Sequence, residues 1–545
     1  MKVQMDCNCI SYKRVPHSSK LLLDFLYDFD RVRKFYSGSP FDPNSYRTIA
    51  DSLRGWNRDR SGLAEILKRQ NEAFGSGEAT FENIRRLGDP GTLAVVTGQQ
   101  VGLLSGPAFT LYKALTAVKL AQSLSAQGLP CVPVFWLATQ DHDLDEVAQT
   151  AAFDAEYELV PLHDPGERPA ERSPVGLVKL TEKISATLDD LEKGLPPGEP
   201  RDKLMRDLRD CYQPGVSWGL SFAKLMARLF RPWGVVLLDP LDEAVGQISR
   251  AVYDQALAQA DQLRARLLER SKALESSGYH AQVRVTEEST LVFVTRDGSR
   301  LPIHQRAGTF LIDGKESVSL ADLMRGADDG RYHFSANALL RPVVQDSLLP
   351  TLAYVAGPSE LAYLGQSQTL YSSFGRPQPV IFPRAAFTLV DRRVERILEK
   401  YKLRVEEVWE GEDAFRHKIA ATGFSEGWTE RFEQSEKDLA TLLERVRGDL
   451  EALDPTLLDT LKNIEEKMKY QLDRLKGKVT RAALQRSDLL TRHEQALRKS
   501  LLPEKALQER KVSGVSFLGR AGYELLDRLL AQIQTQSSDH QALVY

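Results

Sequence analysis

The sequence predicts an α/β protein: a buried parallel sheet carrying inserted segments, followed by a long antiparallel helical hairpin. Two runs apolar on both faces, LAVVTG (93–98) and CVPVFWL (131–137), flank a helical pattern, which is the order of a parallel βαβ unit with its right-handed crossover. Further buried runs, WGVVLLDP (233–240), LLPTLAYVAGPSE (348–360) and PVIFPR (379–384), supply strands of the same kind. From 425 to 502 charges alternate around a sustained apolar seam, the pattern of a coiled coil.

The elements follow in chain order. Helical apolar spacing at 18–36 (Leu22, Leu23, Leu26, Phe29) and 44–74 (Ile49, Leu53, Leu63, Ile66, Leu67) makes residues 1–88 a helical lead-in. A core spans 89–395. It opens on a strand, a glycine-containing turn, a helix from Pro107 to about Ser125 and a second strand from Pro130. Loop-rich connections such as ERPAERSP and KGLPPGEPRDK mark an insertion at about 151–230, and a long amphipathic helix is expected over 245–276. Alternation through HAQVRVTEESTLVFVTRDGSRLPIHQ, broken at Asp297-Gly298, predicts antiparallel hairpins in a second insertion, 280–335. Residues 396–502 form the coiled-coil domain, with Leu439, Leu442, Leu443, Val446 and Leu450 answering Leu461, Ile464, Met468, Leu472 and Leu475 across a break at Asp454-Pro455. Residues 503–545 are short and amphipathic and are expected to pack back on the core.

Composition narrows the function. At 545 residues the chain exceeds the ~250–300 at which single cores stop growing, and 42% hydrophobic with 27% charged residues is ordinary for globular proteins. A net charge of -3 gives no field to collect phosphates along a nucleic acid. No apolar run nears the ~18 residues of a membrane helix, and MKVQMDCNCISYKR lacks the apolar core of a secretory signal; a cytoplasmic protein is expected. Cys7, Cys9, Cys131 and Cys211 form no disulfide framework, and no second Cys/His pair follows Cys7 and Cys9, so no zinc or other metal site is expected.

Two motifs lie at carboxyl ends of neighbouring strands, where open α/β sheets bind ligands. TGQQVGLLSGPAFTLYK (97–113) places Gly98, Gly102 and Gly106 before a helix; backbone N–H groups of such a turn can approach an anion. Its spacing is neither the P-loop nor the dinucleotide pattern, and a plain tight turn explains it equally well. QDHDLDEV (140–147) crowds Asp141, His142 and Asp143 at a strand end, suited to acid–base work or to holding an amine. Adjacent residues on an extended chain face opposite ways, so these three do not chelate one ion without a special turn. AGPSELAYLGQ (356–366) repeats the strand-to-helix form, with Glu360 and Tyr363 near its helix start. His163, His304 and His333 are isolated and read as surface or hydrogen-bonded residues.

Taken together, TGQQVGLLSGPAFTLYK, PVFWLATQDHDLDEV, AYVAGPSELAYLGQ, VIFPR and a C-terminal LQER resemble the successive signatures of the bacillithiol biosynthesis cysteine-adding enzymes, the BshC family, over essentially the whole chain. The resemblance implies a Rossmann-like core similar to class I aminoacyl-tRNA synthetases, with connecting-peptide insertions and a coiled coil that mediates homodimerisation. It implies ligation of cysteine to glucosamine-malate and the binding of a nucleotide such as ADP; ATP or ADP with Mg is the cofactor expected, and family membership leaves the acyl donor open. By motif position it places Thr97, Gly98, Gln99, Gln100, Gly106, Thr110 and Lys113 along the crevice with Asp141, His142 and Asp143, and brings in Glu360 and Tyr363. Two positions depart from the family's usual pattern: Gln140 stands where it has glutamate, and Ser359 where it has glycine.

An amide forms from a carboxylate only after activation. If ATP supplies it, the first intermediate is a cysteinyl adenylate or a cysteinyl phosphate. On this reading Lys113 and the glycine-loop backbone hold negative charge, while His142, oriented by Asp141 or Asp143, takes a proton from the sugar amine. No KMSKS-like lysine loop is present. The alternatives are a nucleotidyltransferase-like enzyme acting on another amino or sugar substrate, which would be indifferent to cysteine, and a non-catalytic coiled-coil dimer scaffold.

Overall fold

A computed structural model describes residues 7–55, 59–422 and 428–545; residues 1–6, 56–58 within the expected 44–74 helical stretch, and 423–427, which include the start of the expected 425–502 stretch, lie outside the described residues. The chain begins with β1 (Cys7–Ile10) and four helices, α1 (Lys20–Tyr27), α2 (Pro43–Leu53), α3 (Arg60–Phe74) and α4 (Glu78–Gly88). The helical spacing expected over 18–36 ends early: after Tyr27 the chain makes two short 3₁₀ turns. Then come β2 (Leu93–Gln99), α5 (Phe109–Ala126) and β3 (Cys131–Leu137). A hairpin of β4 (Gln149–Phe153) and β5 (Leu159–His163), followed by helices, precedes β6 (Val236–Leu238).

Beyond β6 the expected long helix is two, Glu243–Ala258 and Ala260–Ser276, divided at Gln259 (φ -106°, ψ 19°). No glycine or proline marks that break, so tertiary packing sets it. The second insertion holds β7 (Ser289–Arg296), β8 (Ser299–Arg306), β9 (Thr309–Ile312), β10 (Glu316–Val318) and β11 (His333–Ala336) as one antiparallel sheet, ordered β10-β9-β8-β7-β11. Its β7–β8 turn is the Asp297-Gly298 pair, both residues left-handed, as a two-residue hairpin requires.

The core resumes with α6 (Arg341–Leu348), β12 (Thr351–Ala356), α7 (Pro358–Tyr371) and β13 (Val380–Pro383). The parallel sheet reads β13-β12-β2-β3-β6, every neighbouring pair parallel. Its three interior strands β12, β2 and β3 are buried along nearly their whole length, which is why they read as continuous apolar runs. Helix α5 is buried almost all round, and its low amphipathicity follows from that.

After β14 (Ala386–Val390) the helical hairpin is built by α8 (Trp428–Leu453) and α9 (Leu457–Gln485). The Asp454-Pro455 link is a side-chain turn, with the Asp454 carboxylate accepting from the backbone N–H and hydroxyl of Thr456 at 2.9 and 2.8 Å. Within the seam Leu443 and Leu461 are buried, while Leu442, Val446, Ile464, Met468 and Leu475 are 57, 41, 45, 40 and 50% exposed. At Ser487, whose side chain caps Asp488–Leu501, the helix breaks and the chain returns to the body. β15 (His540–Val544) lies between β14, parallel, and β1, antiparallel. No helix among the described residues is long and apolar enough to cross a membrane.

The returning segment is pinned by one buried pair. Arg384, just after β13, donates both terminal nitrogens to Glu509 at 2.9 and 2.6 Å, each side chain 3% exposed. Breaking such a pair leaves an uncompensated buried charge. Arg384→Met is expected to cost about 3–5 kcal/mol, read as a fall in the urea midpoint. Arg384→Met with Glu509→Leu is expected to recover most of it; a double variant as unstable as the single one would refute the pairing as the cause.

Candidate active site

All five parallel strands deliver residues to one cavity of about 600 Å³ at their carboxyl ends. From β2 come Gly98, Gln99 and Gln100; from β3, Trp136, Gln140, Asp141 and His142; from β6, Pro240; from β12, Tyr354 and the Gly357–Glu360 turn; from β13, Arg384. The β7–β11 insertion adds Phe293, Arg300 and Ala336, the start of α6 adds Arg341, and the returning segment adds Arg510.

The floor is an ion pair. Lys113, one turn into α5 and 1% exposed, donates to Glu360 Oε2 at 2.5 Å, to Gln99 Oε1 at 3.2 Å and to the Gly98 carbonyl. An ammonium has three donors, so all are engaged inside the protein. Glu360 sits in the first turn of α7, where Pro358 starts the helix and the same Oε2 accepts from the Gly357 N–H at 2.7 Å. Its Oε1 accepts from Tyr354 at 2.8 Å and Tyr363 at 3.4 Å. Arg341 donates to both tyrosine oxygens, at 3.2 and 3.1 Å. Burial works against the Glu360 charge, but Lys113 and the Gly357 N–H outweigh it, holding the carboxyl below its ordinary value.

The wall opposite is polar. Gln100 donates its amide to Asp141 at 2.9 Å and Glu146 at 2.7 Å, joining the two sequence motifs. Asp141 also accepts from the His142 N–H at 2.8 Å. Gln140 donates to the Pro240 carbonyl at 2.9 Å; an ionised glutamate there, being acceptor-only, has no proton to make that bond. Ser359 lines the cavity beside the α7 start.

Behind the His142 imidazole a guanidinium stands closer than the expected carboxylate. Arg300 Nη1 lies 3.0 Å from His142 Nδ1, whereas Asp141 is 3.8 Å from it. Asp143 instead caps the next helical turn, accepting from the Glu146 N–H at 3.2 Å.

Of the residues expected at the site, Gly98, Gln99, Gln100, Lys113, Asp141, His142, Glu360 and Tyr363 line this cavity, and Thr97, Gly106, Thr110 and Asp143 do not. Thr97 turns into the sheet and donates to the Val355 carbonyl at 3.0 Å. The glycine turn is a packing device: a Cβ on Gly102 would stand 2.7 Å from Gly106 Cα, and Leu104, Ser105 and Gly106 are successively left-handed. Its outer side is covered by the returning segment, Ser513 Oγ donating to the Leu104 carbonyl at 2.7 Å and the Ala108 N–H to the Val512 carbonyl at 2.8 Å. Thr110 is buried beneath it, its hydroxyl without a hydrogen-bond partner among the described residues. Arg300, Arg341 and Arg510 were missed by sequence reasoning; Arg384 and Arg510 lay in the quoted VIFPR and LQER, the signal that could have found them.

Among known proteins, residues 5–385 match the family described as "Bacillithiol biosynthesis BshC, N-terminal Rossmann-like domain", and residues 387–545 match "Bacillithiol biosynthesis BshC, C-terminal coiled-coil domain". A protein of Solibacter usitatus named "Putative cysteine ligase BshC" is 34% identical over 540 residues, covering 99% of this chain and all of its own. Proteins of the same name from Koribacter versatilis and Salinibacter ruber are 35 and 34% identical, covering 96% of this chain and 97 and 96% of theirs. A solved chain from Campylobacter jejuni described as "putative arginyl t-RNA synthetase" aligns over 88% of this chain and all of its own at 10% identity, with a TM-score of 0.23, too remote to add to the fold argument.

The Glu360 charge has a pH signature. A carboxyl held below its ordinary value contributes stability that is complete above that value and is lost as pH falls through the folded one. Glu360→Gln is therefore expected to unfold at lower urea than the parent at pH 7, with the gap closing as pH drops below the ordinary glutamate value of 4.5. A gap independent of pH would show that Glu360 contributes through packing alone.

Proposed function

The chain belongs to the bacillithiol biosynthesis BshC family, and on that premise we propose that it is a cytoplasmic cysteine ligase. It joins the carboxyl of cysteine to the amine of glucosamine-malate, forming a carbon–nitrogen bond in the last step of bacillithiol biosynthesis. The observation that carries the reading to this site is an excess of cations. Lys113, Arg300, Arg341, Arg384 and Arg510 line the cavity against Asp141, Glu146 and Glu360. Lys113 is paired with Glu360, Arg384 with Glu509, and Arg300 lies 3.8 Å from Asp141. Arg341 bonds only neutral oxygens, from Gln345, Tyr354 and Tyr363, and Arg510 has no carboxylate within ion-pair distance among the described residues. The acids that act on them from a distance, Glu360 on Arg341 and Glu509 on Arg510, are themselves paired with Lys113 and Arg384, and two arginines facing a cleft with no direct carboxylate partner suit a ligand with two carboxylates, as the malyl group has.

ATP with Mg bound to its phosphates, when present, supplies the activation that a carboxylate needs before an amine can displace from it. The chain's own residues bind and orient. Arg341 and Arg510 hold the malyl carboxylates, and the Asp141 and Glu146 carboxylates, fixed by Gln100, attract the amine. The exposed stripe Leu442, Val446, Ile464, Met468 and Leu475 on the helical hairpin supports a homodimer in which a second hairpin covers it.

Purified protein with cysteine, glucosamine-malate, ATP and Mg is expected to yield bacillithiol by mass spectrometry, and none when cysteine is withheld. Product from an unrelated amino acid at equal rate would overturn the reading. Arg341→Met and Arg510→Met are each expected to raise KM for glucosamine-malate about 10- to 100-fold, the worth of one charge-assisted hydrogen bond, with KM for cysteine unchanged. Separately, Leu442→Lys with Ile464→Lys is expected to sediment as a monomer where the parent sediments as a dimer.

A further inference from the structure

The second residue behind the chemistry comes from the insertion, on β8. Arg300 is nearly buried and held from three sides: Nε donates to Ser335 Oγ at 3.0 Å, Nη2 to the Ala336 carbonyl at 2.8 Å, and its guanidinium stacks on Phe293 at 3.9 Å from the ring centre. Its remaining nitrogen, Nη1, faces His142 Nδ1 at 3.0 Å. A guanidinium only donates. His142 Nδ1 must therefore accept, and a neutral imidazole whose Nδ1 accepts carries its proton on Nε2. That leaves neither nitrogen with a free lone pair. His142 lines the cavity, and no described group takes its Nε2–H.

We infer that His142 serves the reaction as a neutral N–H donor to the oxygen of the activated cysteinyl carboxyl, and that Arg300 is the residue that fixes it in that tautomer. The identity of that oxygen rests on the ligase reading above. In the step, the sugar amine's lone pair forms the new C–N bond and the carbonyl π pair moves onto oxygen, where the Nε2–H holds the negative charge. The pair returns as the acyl C–O bond to the activating phosphate or adenylate breaks, that phosphate leaves with the bridging oxygen and the bonding electrons, and the extra amine proton passes to water. A donor aimed at a developing oxyanion acts in the transition state more than in the ground state.

The surroundings oppose the alternative of a basic His142. Burial lowers its readiness to take a proton, and Arg300 and Arg172 lower it further; Asp141 and Asp143 act the other way without reversing the balance. Protonation would also set an imidazolium against a guanidinium at hydrogen-bond distance.

The test has two arms on the full-length protein. In the first, ¹⁵N-histidine-labelled protein without substrates is examined by long-range ¹H–¹⁵N NMR, with the His142 signals assigned by their loss in His142→Gln. The expected spectrum at pH 7 shows a protonated Nε2 and an accepting Nδ1, changing to a tautomer mixture in Arg300→Met. An Nδ1-protonated ring or an imidazolium in the parent overturns the inference. The second arm compares turnover: glutamine offers an N–H donor but no base, so His142→Gln is expected to stay within about tenfold of the parent while His142→Ala loses about 10²–10³. Equal loss in both overturns the donor role. Because the first arm needs no substrate, failure of the ligase reading leaves its result standing, and normal ligation with the wrong tautomer refutes this inference alone.

Discussion

Lys113 and Glu360 sit under the cavity as a buried pair, and the geometry of the cleft follows from them. Lys113 belongs to the β2–α5 half of the sheet and Glu360 to the β12–α7 half. Taking both charges out of water costs more than their attraction returns unless every donor and lone pair is met. Here they are met: the ammonium by a carbonyl, an amide oxygen and a carboxylate, the carboxylate by an ammonium, a backbone N–H and two tyrosine hydroxyls. Such a network is poor at adding stability and good at permitting one arrangement only. It locks the two helix starts at a fixed separation, and through Tyr354 and Tyr363 it sets the position of Arg341.

The remaining walls come from distant parts of the chain. Arg300 arrives from an inserted antiparallel sheet, Arg510 from the returning segment, and Arg384 is held in place by Glu509 from that same segment. The parallel sheet thus provides the paired floor and, at the end of β3, the Asp141 and His142 wall, while Arg300, Arg341 and Arg510 are added by elements wrapped around it. This division matches the general behaviour of open α/β sheets, where the strand ends locate the crevice and the connections give it character.

The legible parts of the sequence were those whose signal is local. LAVVTG and CVPVFWL read as strands because burial on both faces forbids polar residues, and Asp297-Gly298 read as a hairpin turn because the left-handed conformation restricts residue type. The crowding of QDHD pointed to the cavity because packing does not call for charge at a buried strand end. What escaped was directional. Nothing local says that Arg300 points into the cleft to meet His142, 158 positions earlier in the chain, or that Asp143 turns away to cap a helix. The glycine loop illustrates the same limit: the sequence suits an anion cradle, but residues 512–514, four hundred positions later, lie across its outer side. The break at Gln259 carries no local mark at all.

The three-stranded sheet β1-β15-β14 joins residues 7–10 to residues 540–544. During synthesis on the ribosome, therefore, the parallel core can be complete and its helices docked while the glycine turn still lacks Ser513 and Arg384 still lacks Glu509. For the time needed to make the segment between Val390 and His540, a nascent chain carries Arg384 without its Glu509 partner and β14 without its β15 neighbour. An unpaired strand edge is a template for pairing with another chain, so the place where the last strand is encoded sets how long β14 stays open to one.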